Sequence, residues 1–137
     1  MIKEIVKDTF FLSLKSSEAN QDDLYIVDDL KDTLKYHQSS CVGMAANMIG
    51  YSKRIIAVYD NKTIIVMINP VLLQTSKQTY MTEEGCFGHS GMKPCRRYEK
   101  IKVQYLDEQM KMKIKTYDGF TAQIIQHELD HLEGILI

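Results

Sequence analysis

Apolar residues recur at helical spacing within residues 20–36, where Leu24, Val27, Leu30 and Leu34 share one face. Asn20 or Gln21 opens this helix, and Asp22 and Asp23 in its first turn complement the helix dipole. Further on the period shortens to two. Residues 54–59 and 63–68 are rich in Ile and Val, with Asp60-Asn61-Lys62 between them. They are predicted to form a hairpin whose second strand ends at Pro70. Residues 71–81 carry a strand pattern diluted by Gln, Thr and Ser, and residues 83–94 are punctuated by Gly85, Gly88 and Gly91. In residues 98–105, Ile101, Val103 and Tyr105 alternate with Lys100, Lys102 and Gln104. Met112 and Ile114 resume that alternation after a turn, which predicts a second hairpin. A last helix starts at Asp118 or Gly119, carries Phe120, Ile124 and Ile125 on its apolar side, and stops at Gly134. Ile5, Val6, Phe10, Phe11 and Leu12 predict an N-terminal segment held against the body, and residues 37–50 read as a loop. The sum is an α+β fold: one domain over residues 1–137, with an N-terminal helix and antiparallel β-sheets packed around a C-terminal helix.

Composition narrows the function classes. The chain is 45% hydrophobic and 26% charged with a net charge of −1, and has no Lys/Arg block, which argues against a dedicated nucleic-acid binder. Its apolar runs are only a few residues long, so no membrane span is expected. Charges near Met1 occupy the place of a signal peptide's apolar core, and a cytoplasmic location is expected. Cys41, Cys86 and Cys95 are odd in number, which argues against a disulfide framework and for reduced thiols.

The chemistry concentrates in Gln126-His127-Glu128-Leu129-Asp130-His131. Its core is H-E-x-x-H. On a helix, positions i and i+4 lie one above the other, so His127 and His131 can grip one metal ion. Glu128 stands about 100° around the helix from His127. From there it can handle the proton of a bound water without ligating the metal. The competing reading is an amphipathic helix that happens to carry two histidines.

A catalytic metal site commonly takes three protein ligands and keeps one position open. Glu133 is the sole candidate downstream and stands on another face of the helix, so the third ligand is expected upstream. Cys86 is the best candidate, flanked by Gly85 and Gly88, which allow close backbone approach. A thiolate suits Fe(II) or Zn(II) better than Mg(II) or Ca(II). The alternative for Cys86 is a small buried hydrophobe, which is also the reading for Cys41 and Cys95.

Three stretches in this order resemble the peptide deformylase family. Residues 41–48, Cys-Val-Gly-Met-Ala-Ala-Asn-Met, are similar to its G-x-G-L-A-A-x-Q motif. Residues 84–88, Glu-Gly-Cys-Phe-Gly, are similar to E-G-C-[LF]-S, and residues 126–131 give Q-H-E-x-D-H complete. The resemblance implies a hydrolase that removes the formyl group from the N-terminal formylmethionine of nascent peptides. It implies that Cys86, His127 and His131 hold the metal, commonly Fe(II), with Zn(II) or another divalent transition metal as the alternative. Glu128 would be the general acid/base, and the backbone N–H of Phe87 would help to hold the oxyanion. Gly43 and Gly85 would bind the peptide as an added strand. Val42, Phe120 and Ile124 fall where the family lines its methionine pocket, and Glu84 and Arg97 resemble a structural pair beside it. For each pocket residue, ordinary core packing stands as the other reading. The implied partner is a formylated peptide, met on chains emerging from the ribosome.

The chain departs from the pattern at Met48, where the family has a glutamine whose side-chain amide holds the oxyanion. Methionine donates no comparable hydrogen bond. Loss of one such donor costs about 10²–10³ in turnover. Two further expectations therefore stand beside a slowed deformylase. One is a metal-dependent amidase for another N-acyl group, and the other a non-catalytic deformylase-like peptide-binding protein.

Overall fold

The computed structural model describes residues 1–85 and 91–137. Cys86 and Phe87, with Gly88, lie outside the described residues.

The N-terminal segment reaches a short helix, α1 (Thr9–Leu12), whose first amides are capped by the Asp8 carboxylate. It is tied down by the Val6 N–H, which donates to the Met48 carbonyl at 2.8 Å, and by Leu12, which is buried. Phe10 departs from expectation. It is 73% exposed, because a one-turn helix can direct only one of its sides inward. The next predicted helix divides in two. Asn20 accepts from the Asp22 N–H while Asp23 returns to the Asn20 N–H, which closes a 3-10 turn at Gln21–Asp23. Helix α2 (Tyr25–Tyr36) follows, burying Val27, Leu30 and Leu34 as expected, together with Ile26 and Thr33.

The stretch read as a loop contains a strand, β1 (Gly43–Ala45), and a 3-10 turn at Ala46–Ile49 that ends on Gly50 at φ +98°. Every residue from 43 to 49 is buried. These residues are too few and too small to carry a periodic pattern, and tertiary packing alone defines them. Strand β2 (Ile55–Asp60) and strand β3 (Thr63–Thr75) form the first hairpin, with Asn61 at φ +58° in the turn.

Pro70 does not end β3. The pairing of β3 with strand β6 (Lys100–Leu106) jumps from Ile68↔Leu106 to Val71↔Gln104, so Pro70 sits in a bulge where its missing N–H costs no ladder bond. Asn69 supports the bulge from φ +51°, with its side-chain amide bonded both ways to the Ala19 backbone at 2.8 Å. The diluted pattern of residues 71–81 resolves into the end of β3 and the start of strand β4 (Thr79–Gly85). β4 pairs antiparallel with strand β5 (Met92–Tyr98).

Strand β7 (Met112–Asp118) completes the second predicted hairpin with β6. Ile101, Val103 and Tyr105 are buried as the alternation required, whereas Met112 and Ile114 are exposed because they pair with Leu106 and Gln104, on the sheet face opposite those three. The larger sheet has the order β1-β2-β3-β6-β7, all antiparallel, with β4-β5 as a separate two-stranded sheet.

Helix α3 (Gly119–Leu132) packs on β1, β2, β5 and β7, and α2 covers β1 and β2. The fold is α+β, with antiparallel sheets around the C-terminal helix. Gly134 follows the Glu133 cap at φ +78°, the C′ position expected of it. The Ser16 N–H and the Asn47 side-chain amide take two of the carbonyls the helix leaves over, those of Leu132 and His131, at 2.9 Å each. Among the described residues no helix is long and apolar enough to cross a membrane.

Candidate active site

Helix α3 carries His127 and His131 one turn apart, both buried, with their Nε2 atoms 3.0 Å apart. Nδ1 of His127 lies 2.7 Å from Oε1 of Glu84 on β4. Burial works against a charge on Glu84, but hydrogen bonds from His127 and Arg97 outweigh it and hold this carboxyl well below the usual range. An ionised carboxylate only accepts, so Nδ1–H of His127 must be the donor, and its Nε2 lone pair then points towards His131. Arg97 on β5 donates to both oxygens of Glu84 and, at 2.6 Å, to Asp130 of α3. The β4–β5 pair is thereby bolted to the helix.

Glu128 is 3% exposed, and its Oε1 has no hydrogen-bond partner. Burial pushes its carboxyl up to about 7. A proton-carrying group near neutrality is what general acid/base work asks for.

A metal suits this arrangement. Two imidazole nitrogens sharing one tetrahedral ion at about 2.0–2.1 Å lie about 3.3 Å apart, close to the spacing found. The unpartnered Glu128 oxygen beside them is a buried acceptor in want of a bound water. Among the described residues no group of three His, Cys, Asp or Glu side chains gathers as a metal cage, and Cys86 lies outside them. Glu133 is engaged elsewhere, 2.6 Å from Arg54. Cys95 is half-buried, and burial together with its hydrogen bond to Glu84 pushes its thiol up to about 11. Cys41 donates to the Gly43 carbonyl at 2.9 Å.

A cavity of about 530 Å³ opens beside these groups. Val42, Gly43, Met48, Glu84, Gly85, Phe120, Ile124, His127 and Glu128 all border it, so the structure gathers the described candidate residues around one space. His131 is set behind it. Phe120 was expected on the apolar inner side of the helix and is instead 62% exposed, at the rim of this cavity. The Met48 side chain is buried, and its Sδ lies 3.5 Å from the Ala45 N–H. Asn47 faces the other way, onto the His131 carbonyl.

Sequence reasoning missed Gln123, which borders the cavity and donates to Oε2 of Glu84 at 2.9 Å. Its position four residues before His127, on the same helical face, was the available signal. Met92 was also missed. Its Sδ would lie 2.9 Å from a Cβ on Gly85, and only the strand pairing shows that contact.

The polypeptide deformylase family model matches residues 4–137. The peptide deformylase of Clostridium beijerinckii is 52% identical over the full length of both chains. That of Fusobacterium nucleatum is 33% identical over 99% of this chain and 75% of its own length. Among solved structures, the Met-Ala-Ser-bound class I type b peptide deformylase of Acinetobacter baumannii superposes with a TM-score of 0.90 at 31% identity, covering 99% of this chain and 97% of that one. The Thermotoga maritima peptide deformylase also gives 0.90, at 25% identity over 99% and 95% of the two chains. The chain belongs to the peptide deformylase family, a class of hydrolases.

Proposed function

We propose that this protein hydrolyses the formyl group from N-formylmethionyl peptides, with a metal held by Cys86, His127 and His131. The observation that carries the reading is the convergence of the two Nε2 atoms, 3.0 Å apart, next to a buried carboxyl with an unpartnered oxygen. The metal, when bound, supplies a Lewis acid that polarises the formyl carbonyl and makes water acidic enough to attack near neutral pH. A thiolate and two imidazoles suit Fe(II) or Zn(II) rather than Mg(II) or Ca(II), and the family resemblance points to Fe(II) of the two.

The rest falls to the chain's own residues. The substrate backbone lies along the edge strand β1 at Gly43 and against Gly85, as an added strand. Its methionine side chain enters the cavity between Val42, Phe120 and Ile124. Glu128 takes a proton from the attacking water and returns it to the departing nitrogen. The C–N bond breaks, and formate and a free amino terminus leave. The Phe87 N–H is the proposed donor to the oxyanion. Met48 offers only a thioether at the wall, so turnover is slower than a glutamine there would allow. The Acinetobacter relative's complex with Met-Ala-Ser supports a peptide of this kind as the ligand. Its substrates are nascent chains in the cytoplasm, where a reduced thiolate and ferrous iron persist.

The test is formate release from formyl-Met-Ala-Ser by anaerobically prepared, iron-loaded protein, with Glu128→Ala as control. Metal-dependent release that the control abolishes is expected. A fully metallated protein that releases no formate overturns the reading.

A further inference from the structure

We propose that Gln123 is a positioning residue for His127, acting through Glu84. The inference rests on the metal-dependent reading above.

Glu84 distributes its two oxygens unequally. Oε1 receives His127 Nδ1 at 2.7 Å and Arg97 Nη2 at 2.6 Å, while Oε2 receives Arg97 Nε at 3.0 Å and Gln123 Nε2 at 2.9 Å. These contacts, with the hydrogen bond from the Cys95 thiol, surround one planar carboxylate and fix its rotation as well as its place. The Gln123 amide is itself held, because the Tyr80 hydroxyl donates to its Oε1 at 3.2 Å. Tyr80 and Glu84 stand on β4, and Gln123 and His127 stand one turn apart on α3. The helix thus meets the β4–β5 pair at Gln123, Gln126, His127 and Asp130: Gln123 and His127 donate to Glu84, Gln126 bonds the Tyr98 backbone, and Asp130 accepts from Arg97.

Without Gln123, the carboxylate loses a donor on its Oε2 side, and the Arg97 fork and the Cys95 thiol hold its angle less tightly. The His127 ring keeps its partner on a looser mount, and the orientation of Nε2 loosens with it. Gln123 also borders the cavity, so it stands between that space and Glu84. It touches no reacting atom. Its effect is on how firmly His127 is aimed.

The experiment uses metal-loaded protein and the near-isosteric Gln123→Met variant, which keeps the volume and removes both hydrogen bonds. In zinc-loaded wild type, histidine-selective ¹⁵N NMR is expected to show the His127 Nδ1 proton far downfield and slow to exchange with solvent. In the variant that exchange is expected to be about tenfold faster. Cobalt affinity, read by chelator competition, is expected to fall about fivefold, below the 10–100-fold typical of a group bonded directly to a ligand. Tyr80→Phe leaves every donor to Glu84 in place and frees only Gln123. It should change both readings in the same direction by a smaller factor, and it decides the matter if Gln123→Met does not fold. A folded variant with an unchanged Nδ1 proton and cobalt affinity within twofold of wild type overturns the proposal. Failure of wild type to take up any metal overturns the reading beneath it.

Discussion

A Cβ placed on Gly43 would lie 3.0 Å from Oε2 of Glu128 and 2.6 Å from Cγ2 of Ile124. Strand β1 therefore passes the candidate general base with no room for a side chain between them. Gly43→Ala forces Glu128 and Ile124 to move by tenths of an ångström or more. Misplacing a reacting group by about 1 Å costs about 10²-fold, so kcat/KM should fall at least tenfold while circular dichroism stays native. A variant with unchanged kcat/KM would show that the tightness is not used.

Met48→Gln tests the missing oxyanion donor. If the amide reaches the developing charge, kcat should rise by about 10²-fold with little change in KM. The carbonyl end of the same side chain can accept the Ala45 N–H that now faces the Met48 sulfur. Steady-state kinetics on iron-loaded protein decide it. A well-folded variant with unchanged or lower kcat means that another group already fills the role.

Glu84→Gln keeps the shape of the hub and removes its charge. Among the described residues, Arg97, 5% exposed, would retain only Asp130 as an ionic partner. Removing one member of a buried pair costs about 3–5 kcal/mol, and replacing the charged acceptor of His127 by a neutral amide oxygen should weaken metal binding by up to about 10-fold. Urea unfolding and chelator competition measure the two effects separately. Stability within about 1 kcal/mol of wild type would reduce the pair to the weight of a surface salt bridge.

Gly134→Ala should be among the most destabilising single-atom additions in the chain. Gly134 has φ +78°, and a Cβ there would lie 2.2 Å from the Ser13 carbonyl oxygen. Left-handed backbone alone costs a side-chain-bearing residue about 1–2 kcal/mol, and the overlap is with backbone that cannot swing aside. A loss above about 2 kcal/mol is expected in urea titration, and a smaller one would mean that the N-terminal segment moves away cheaply.

Tyr117 gives a pH signature distant from the metal. Burial, with the Tyr105 hydroxyl 3.3 Å away, raises its phenol above the ordinary value. The folded state therefore holds this proton more tightly than the unfolded chain does. The associated stability is complete below about pH 10 and is lost as the pH rises towards the folded-state value. Tyr117→Phe removes that dependence, so the gap in urea midpoint between wild type and variant should narrow from pH 8 to pH 11. A constant gap would mean that Tyr117 titrates as it does in the unfolded chain.

Local covalent order by itself determined the i, i+4 register of His127 and His131, the place of Glu128 beside them, the inward faces of α2 and β6, and the stop at Gly134. Each depends only on residues a few positions apart, where helical or strand period fixes direction. The alternation failed at Met112 and Ile114 because period says which residues share a face and nothing about which face the pairing register with β6 turns to the core. Pro70 misled because a bulge removes the need for its N–H, and a bulge is a property of two strands. Glu84 was named from its motif, yet its bonds to His127, Arg97 and Gln123 span up to 43 residues of chain. The same holds for Gly43 against Glu128 and for Asn47 against the His131 carbonyl. Those contacts exist only once sheet order and helix packing bring distant segments within hydrogen-bond range, so tertiary structure alone decided them.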